Sequence, residues 1–530
     1  MEEIRVKEGV VEDVTQQTIK QRWTKLDGLK TATLRRARKC SELTIPSLLP
    51  PEGHSEQDQL MTPYQSLGSR GVNNLASKLL LALLPANTPF FKLLIDEFTI
   101  EKLSSDENAK TEIQKALGKV ERAVMEWIES SKIRVPTFEL LKLMICTGNA
   151  LCYTPDNGGA KVYRLDQYCC KRDPMGNIME IVIQEKVHPI ALPDSIREMV
   201  KAAMKDPNEK VEVYTHILRQ AEGWQVKQEV NRKNISESET TYKLDDTPWM
   251  CLRWTSIANE DYGRGLVEEY LGDLISLEGL MEAMVLGAAA ASKVIFLVNP
   301  NGSTTVKALK ETANGGFAAG KKEDITTLQV EKYADFKVVA ELIDRIERRL
   351  SYAFLLNSSV QREAERVTAE EIRYIANELE DTLGGVYSIL SQEFQFPLIK
   401  RLMKQMTKAK KLPQIPKEVK PVITTGLEAL GRGHDLRKLD ALRDHIVPFG
   451  EQTIRTYMKV NSYITRVGTA LGVDTEGLIR TDEEVAQQVQ QEQANALLQQ
   501  SAGGVTRELA KGAMNGQTQG QGAEGAGAAG

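Results

Sequence analysis

One run of the sequence has the residue types of a phosphate loop. Gly315-Gly316-Phe317-Ala318-Ala319-Gly320-Lys321-Lys322 matches the pattern GxxxxGK. In such a loop backbone N–H groups cradle phosphates, the lysine neutralises them and a following Ser or Thr holds Mg²⁺. That chemistry needs a strand before the loop and a helix after it. Here Lys322 takes the Ser/Thr place, and Lys321-Lys322-Glu323-Asp324 leads into a strand-like run. No hydrophobic strand ending in a metal-binding Asp stands out downstream. The pattern predicts a mobile, basic loop in preference to an ATP site. Gly263-Arg264-Gly265 is a lone glycine pattern, better read as the start of a helix.

Metal and nucleophile chemistry have less to stand on. The six cysteines, Cys40, Cys146, Cys152, Cys169, Cys170 and Cys251, form no CxxC pair. Adjacent Cys169 and Cys170 should point to opposite sides of a strand. The set reads as reduced, mostly buried thiols in a cytosolic setting. The five histidines show no HExxH or other metal spacing. No metal, no cofactor and no catalytic residue are expected, and nothing in the sequence positively supports an enzyme.

The chain has 530 residues, enough for several domains and a large core, and a net charge of −5. A protein that grips DNA by its phosphates should be basic. One that DNA must slide past can be acidic. The chain starts Met-Glu-Glu-Ile-Arg, without the pattern of a signal peptide. Its longest strongly apolar uncharged stretch, 283–292, is far short of the ~20 residues that span a bilayer.

The elements that must carry any site follow from periodicity. A basic amphipathic helix is predicted over 14–41, with Arg35, Arg36, Arg38 and Lys39 on a solvated face. Thr62-Pro63 should cap and start the next helix, which stops at Pro85. Helices over 105–131 and 137–146 follow. After Gly148 the pattern turns strand-like, at 151–153, 162–164, 178–187, 211–218, 224–230 and 250–254. The turn Asp173-Pro174-Met175-Gly176-Asn177 and a helix over 194–205 lie among them. Residues 1–258 therefore read as an α+β domain, helices first and then a mostly antiparallel sheet. A long helix is predicted over 262–291, ending in small residues. A β excursion with strands 294–298 and 326–330 follows, then a second helix from 334 with a narrow apolar seam. The two helices are nearly equal in length and can run antiparallel, pushing the excursion outward as a contact surface.

A polar loop, 357–367, then leads into a long helix. Thr368-Ala369-Glu370-Glu371 is a capping box. Gly384 and Gly385 sit mid-helix, each costing about 1 kcal/mol against alanine, so a bend or a close approach is expected there. Pro397 makes a second break. Beyond 413 comes a smaller helical region, then a glutamine-rich helix from 481 and a Gly/Ala/Gln-rich tail expected to be disordered.

Several of these stretches resemble the portal proteins, or head-to-tail connectors, of T7-like short-tailed bacteriophages (podoviruses). They are Thr62-Pro63-Tyr64-Gln65-Ser66-Leu67-Gly68-Ser69-Arg70-Gly71-Val72-Asn73-Asn74-Leu75-Ala76-Ser77-Lys78, Glu268-Glu269-Tyr270-Leu271-Gly272-Asp273-Leu274, Glu365-Arg366-Val367-Thr368-Ala369-Glu370-Glu371-Ile372 and Leu383-Gly384-Gly385-Val386-Tyr387-Ser388-Ile389-Leu390-Ser391-Gln392. The likeness runs from about residue 20 to 480. It implies a mainly helical α+β portal fold and a ring, a dodecamer, at one capsid vertex of the virion, assembled in the host cytoplasm. The family's parts would fall as wing 1–258, stem helices 259–292 and 334–356, clip 293–333, tunnel loop 357–367, long kinked wing helix 368–406, crown 407–480, and a C-terminal helix and tail 481–530. Double-stranded DNA would pass through the channel for packaging and ejection. The implied partners are the terminase large subunit, a tail adaptor, scaffolding and major capsid proteins, and internal core proteins. Gln361, Arg362, Glu363, Glu365 and Arg366 are candidates to face DNA. Gly384 and Gly385 are a candidate hinge, and Lys307, Lys310, Lys321 and Lys322 are candidate partner contacts. The competing readings are a nucleic-acid-processing ATPase using 315–322, and a non-viral oligomeric scaffold.

Overall fold

The structure is a computed structural model of the chain. It describes residues 17–85, 90–95, 107–203, 209–291, 295–313, 316–328, 333–356, 383–412, 419–423, 431–450 and 460–471, with a few isolated positions besides. Two compact units are present, Met1–Ala429 and Leu430–Gly530.

The first unit opens with two helices, not one: α1 (Ile19–Leu29) and α2 (Thr31–Glu42). Thr18 caps α1 in a capping box with Gln21. The break falls at Lys30, whose fully buried ammonium donates to the carbonyls of Leu165 (3.0 Å) and Tyr168 (2.7 Å) and stacks over Trp23. A charge that deep must be paired or hydrogen-bonded, and a continuous helix would not deliver it there. The basic face of α2 is not simply solvated: Arg36 pairs with Glu268, Arg38 with Glu52 and Lys39 with Glu42.

Helix α3 (Leu67–Leu83) starts four residues after Pro63 and is the axis of the core. Glu278 explains the late start. Its carboxylate accepts the backbone N–H groups of Tyr64 (2.8 Å) and Gln65 (3.2 Å), holding Thr62-Pro63 outside the helix, while the Gln65 side chain accepts from Gly68 N. Val72, Leu75, Ala76, Leu79 and Leu83 are completely buried at helical spacing. Three side chains from distant elements take the last carbonyls of α3: Tyr387 on Ala82, Gln395 on Leu83 and Arg134 on Leu84.

Strand β1 (Phe91–Ile95) precedes helices α4 (Glu107–Ser130) and α5 (Arg134–Thr147). Gly148 ends α5 in the left-handed region, and a Cβ there would strike the backbone of Arg264 and Gly265. Strands β2 (Asn149–Tyr153), β3 (Lys161–Tyr163), β4 (Tyr168–Arg172) and β5 (Ile178–Val187) follow. Then come α6 (Asp194–Ala203), β6 (Val211–Arg219), β7 (Trp224–Val230), β8 (Lys233–Asn234), β9 (Thr240–Tyr242) and β10 (Trp249–Arg253). All pairings are antiparallel. One sheet runs β4-β5-β6-β7-β8 with β9 also on β7, and a second runs β10-β2-β3. Cys169 and Cys170 do pack on opposite sides of β4, in separate apolar clusters.

The helix expected over 262–291 is broken at Tyr270 into α7 (Leu266–Glu269) and α8 (Leu271–Ala291). Beyond it are β11 (Ile295–Val298), α9 (Val306–Glu311), β12 (Ile325–Leu328) and α10 (Tyr333–Ala353). Helix α11 (383–390) continues through a π-helical turn, Ser391–Gln395, into α12 (Phe396–Lys408). Strand β13 (Val419–Ile423) pairs with β1, so it is built into the first unit. The second unit contains α13 (Gly431–Ile446) and α14 (Val460–Leu471), joined by a bond from Tyr463 Oη to Leu439 O. The fold is α+β and mainly helical.

Candidate functional site

The feature that neither enzyme chemistry nor a closed core explains is the helical pair α8 and α10 and the β unit between them. The two helices are antiparallel: Gly287 lies under the ring of Phe336, and at the other end Arg349 donates to Asp273 at 2.9 Å. A Cβ at Gly287 would stand 2.8 Å from the tip of the Phe336 ring, so a larger residue there would push that ring aside. On α10, Ile343, Ile346 and Leu350 are buried and the opposite face carries mixed charge. On α8 only Leu274 and Leu277 are buried. Ile275, Ala283, Val285, Leu286 and Ala288 to Ala290 face outward, a largely apolar surface in which Glu282 is the exposed charge. Among the described residues α8 is also the one helix long and apolar enough to cross a membrane by length and composition, although Asp273, Glu278 and Glu282 lie along it.

The β unit is organised on a buried acid. Asp324 accepts from the Thr304 hydroxyl (2.9 Å), the Thr304 N–H (3.1 Å) and the Ser303 hydroxyl (3.2 Å). The Thr304 hydroxyl bond, first among these, holds its carboxyl below the usual aspartate range. Gly302 and Gly320 leave room for this hub: a Cβ on either would fall 2.4 to 2.5 Å from Asp324 or Thr304. The hub also settles what the GxxxxGK run does. The Lys321 N–H is given to the Thr304 hydroxyl at 2.8 Å, and Lys322–Asp324 is a short 3-10 turn feeding strand β12. The described part of the loop has no helix N-terminus behind it, so the geometry of a phosphate cradle is missing. Lys307, Lys310, Lys321 and Lys322 are all exposed on this unit, and Phe317 is fully exposed among them.

At the inner end, α10 is locked to α3. Asn74 Nδ2 donates to the carbonyls of Phe354 (3.1 Å) and Leu355 (3.0 Å), and Lys78 Nζ to that of Leu355 (2.9 Å). Leu355 is left-handed, with φ +53°. The DNA-facing candidates Gln361, Arg362, Glu363, Glu365 and Arg366 and the capping box at Thr368 lie outside the described residues. Gly384 and Gly385 lie in regular α-helix with open space where their Cβ atoms would be, so nothing among the described residues requires glycine there. The irregular turn comes later, at Ser391–Gln395, where the Phe396 N–H reaches back to Ser391 O. Pro397 is the cause at hand: it cannot donate to the carbonyl four residues earlier, and a wide turn keeps its ring off that carbonyl. Beyond this point Arg401, 4% exposed, fixes α12 with bonds to Thr154 O, Asp246 and Asp156. The Asn74–Lys78 clamp, the Glu278 cap and the Thr304–Asp324 hub had no signal in the sequence beyond polar residues within helical or loop segments.

These features can now be set beside known proteins. The bacteriophage head to tail connecting protein family matches residues 16–479. The chain is 45% identical to the portal protein of Enterobacteria phage T3 over 476 residues, 88% of this chain and 89% of that protein. It is 44% identical to the portal protein of Escherichia phage T7 over 467 residues, 86% and 87% of the two chains. Among solved structures, the virion of a native gene transfer agent particle aligns with a TM-score of 0.34 and 11% identity, over 73% of this chain and 86% of that one. That likeness is too loose to add to the match in sequence. On the sequence match, which covers most of both chains, this protein belongs to the bacteriophage head to tail connecting protein family.

Proposed function

We propose that the chain is one subunit of a ring-shaped portal channel at a capsid vertex of a short-tailed phage, through which double-stranded DNA enters during packaging and leaves on infection. Family membership supports the portal role. The observation that carries the ring is the bare apolar face of α8, which a single chain leaves in water and which identical neighbours would cover. A closed cyclic assembly of twelve is the reading taken from the family resemblance.

Within that reading, residues 1–258 and 368–406 form the wing, α8 and α10 the stem, 293–333 the clip, 357–367 the tunnel loop and 407–480 the crown. Gln361, Arg362, Glu363, Glu365 and Arg366 face DNA. The work of such a channel is physical. Each Lys or Arg that grips a phosphate releases counterions and becomes a trap that the moving duplex must leave, so a mixed or acidic lining favours sliding. The mixed charges of α10 and the chain's net charge of −5 suit that task. The exposed lysines Lys307, Lys310, Lys321 and Lys322, with Phe317, form the contact for the terminase large subunit during packaging and the tail adaptor afterwards. Scaffolding, major capsid and internal core proteins are further partners in this reading, with assembly in the host cytoplasm. Gly384 and Gly385 allow the long helix to bend between channel states.

Electron microscopy of the purified full-length protein tests the reading. Class averages down a symmetry axis should show a ring with a central hole wide enough for duplex DNA. Monomers or small closed oligomers across a range of concentrations would overturn it.

A further inference from the structure

Helices α4 and α12 end side by side, and both end on lysines. Trp127 joins them: its Nε1–H donates to Gln405 Oε1 at 3.5 Å, and Lys411 Nζ lies 4.2 Å from its ring. The turn 155–159 closes the group, with Gln405 Nε2 donating to Pro155 O and Lys408 Nζ to Asp156 at 2.6 Å. Each helix finishes with a residue in the left-handed region, a place that glycine ordinarily fills. Here those residues are Lys132, φ +54°, and Lys410, φ +56°. The Lys132 N–H returns to Glu129 O, and the N–H groups of Lys410 and Lys411 return to Thr407 O and Met406 O. A cation in the last turn gains from the helix dipole, but that gain does not call for a side chain at the left-handed residue itself. Lys132, Lys408, Lys410 and Lys411 are exposed. Asp156 and Asp246 are already shared among Arg401, Lys404 and Lys408, and Glu129 is taken by Arg134. Among the described residues Lys132, Lys410 and Lys411 pair with no carboxylate. The apolar residues beside them, Ile133, Met406 and Leu412, are buried.

We propose that this lysine cluster is a second DNA-binding surface, which holds duplex DNA by its phosphates without reading sequence. The choice of DNA rests on the portal reading above, in which duplex DNA is the polyanion that meets this protein. Protein–protein interfaces are poor in lysine at their centres and rich in aromatic anchors, whereas phosphate contacts need point charges and little else. The cluster has the second composition, with unpaired ammonium groups outermost and its one aromatic ring half-buried under Lys411. Helices α4 and α12 and the turn 155–159 belong neither to the stem helices nor to the segment 357–367, so this surface is not the proposed channel lining. Its task is also the opposite one. A lining must let the duplex slide, while a patch of unpaired lysines retains it.

The test uses the full-length protein and a covalently closed duplex minicircle, which has no end to thread through a channel. Fluorescence anisotropy follows binding from low to physiological salt, and electron microscopy gives the oligomeric state of each sample. The minicircle should bind, with an affinity that falls steeply as salt rises. Lys132→Gly with Lys410→Gly and Lys411→Ala should weaken binding about tenfold or more and reduce the slope of log Kd against log salt by about 2 to 3. The two glycines suit the left-handed backbone, so the thermal midpoint should hold or rise, which separates lost binding from lost folding. Arginine at the same three positions should keep the affinity. Rings that leave the minicircle free at low salt, or binding unchanged in the glycine variant, would overturn the inference and leave the portal reading standing. Displacement of the minicircle by poly-glutamate at a lower charge concentration than by unlabelled duplex would overturn it in favour of an acidic protein. Small closed oligomers that bind the minicircle through these lysines would overturn the ring and keep this surface.

Discussion

Gly71 and Phe354 touch where only hydrogen fits: a Cβ at position 71 would lie 2.5 Å from Phe354 Cγ. Glycine inside a helix is ordinarily a weakness of about 1 kcal/mol against alanine. At Gly71 the contact reverses the sign. Gly71→Ala is expected to lower stability by about 1–3 kcal/mol, as overpacking does. Gly118→Ala, in α4 with nothing within 4 Å of its Cβ, should raise it by up to about 1 kcal/mol. Paired denaturant melts decide the comparison.

Glu180 is the buried hub of a charge cluster. Arg22 donates to it twice, at 2.8 and 2.5 Å, and His216 Nε2 sits 2.8 Å away. Burial pushes its carboxyl up, but the Arg22 and His216 bonds and charges more than offset that and hold it at about 2, against an ordinary 4.5. A carboxyl depressed in the folded state stabilises above its unfolded value. Its contribution is therefore intact above pH 4.5 and disappears as pH falls towards 2. The loss should be on the order of 2–3 kcal/mol. Glu180→Gln should flatten that part of the pH–stability curve and lower stability at neutral pH. Urea midpoints of both proteins between pH 2.5 and 7 measure it.

Arg401 is buried with a carbonyl and two carboxylates around it, and Lys404 and Lys408 pair with the same two acids, Asp246 and Asp156. Arg401→Met leaves this acceptor set without its central donor and should cost about 3–5 kcal/mol. Arg401→Lys keeps the charge but loses the fork, and should fall between the two. Chemical unfolding followed by tryptophan fluorescence gives the order.

The fold was legible where one short-range pattern decided the outcome. Strands β5 and β7 lie where alternation put them, and the Asp173–Asn177 turn forms with Gly176 at φ +85° and Asn177 N bonded to Asp173 Oδ1. What was not legible depends on partners distant in sequence. Strands β1 and β13 pair across most of the first unit, and neither is recognisable without the other. Thr62-Pro63 has every local mark of a helix start, yet a carboxylate from α8 claims the two N–H groups just after it. Lys30 reads as one more basic residue on an amphipathic helix until β4 and its preceding loop supply two carbonyls. Of the candidate site, the helical pair and its β excursion could be read from periodicity, whereas Asp324 as the excursion's hub could not.

Covering the bare face of α8 is a claim about assembly. Leu286 is 55% exposed and makes no core in the single chain. Leu286→Glu is expected to leave secondary structure and monomer stability within about 0.5 kcal/mol of the original, and to abolish ring formation in sedimentation velocity. Rings of unchanged size and yield would count against the use of this face.

Charge reversal at the β unit separates docking from assembly. On the proposed docking role, Lys321→Glu with Lys322→Glu should leave the ring intact and weaken capture of the terminase large subunit, more so at low salt where the attraction is least screened. Adding Phe317→Ala should weaken it further without a change in melting temperature, since that ring is fully exposed. Undiminished binding by the triple variant would move the docking surface elsewhere.

The π-helical turn at Ser391–Gln395 is equivalent to one surplus residue threaded into an otherwise regular helix. It therefore sets the phase of everything upstream against everything downstream. Removing a single residue from the turn would restore the ordinary repeat and swing 383–390 by about 100° relative to Arg401. Tyr387 would then leave the Ala82 carbonyl while Arg401 kept its acids. In a helix leading back towards the segment 357–382, that one residue acts as an angular offset written into the length of the chain.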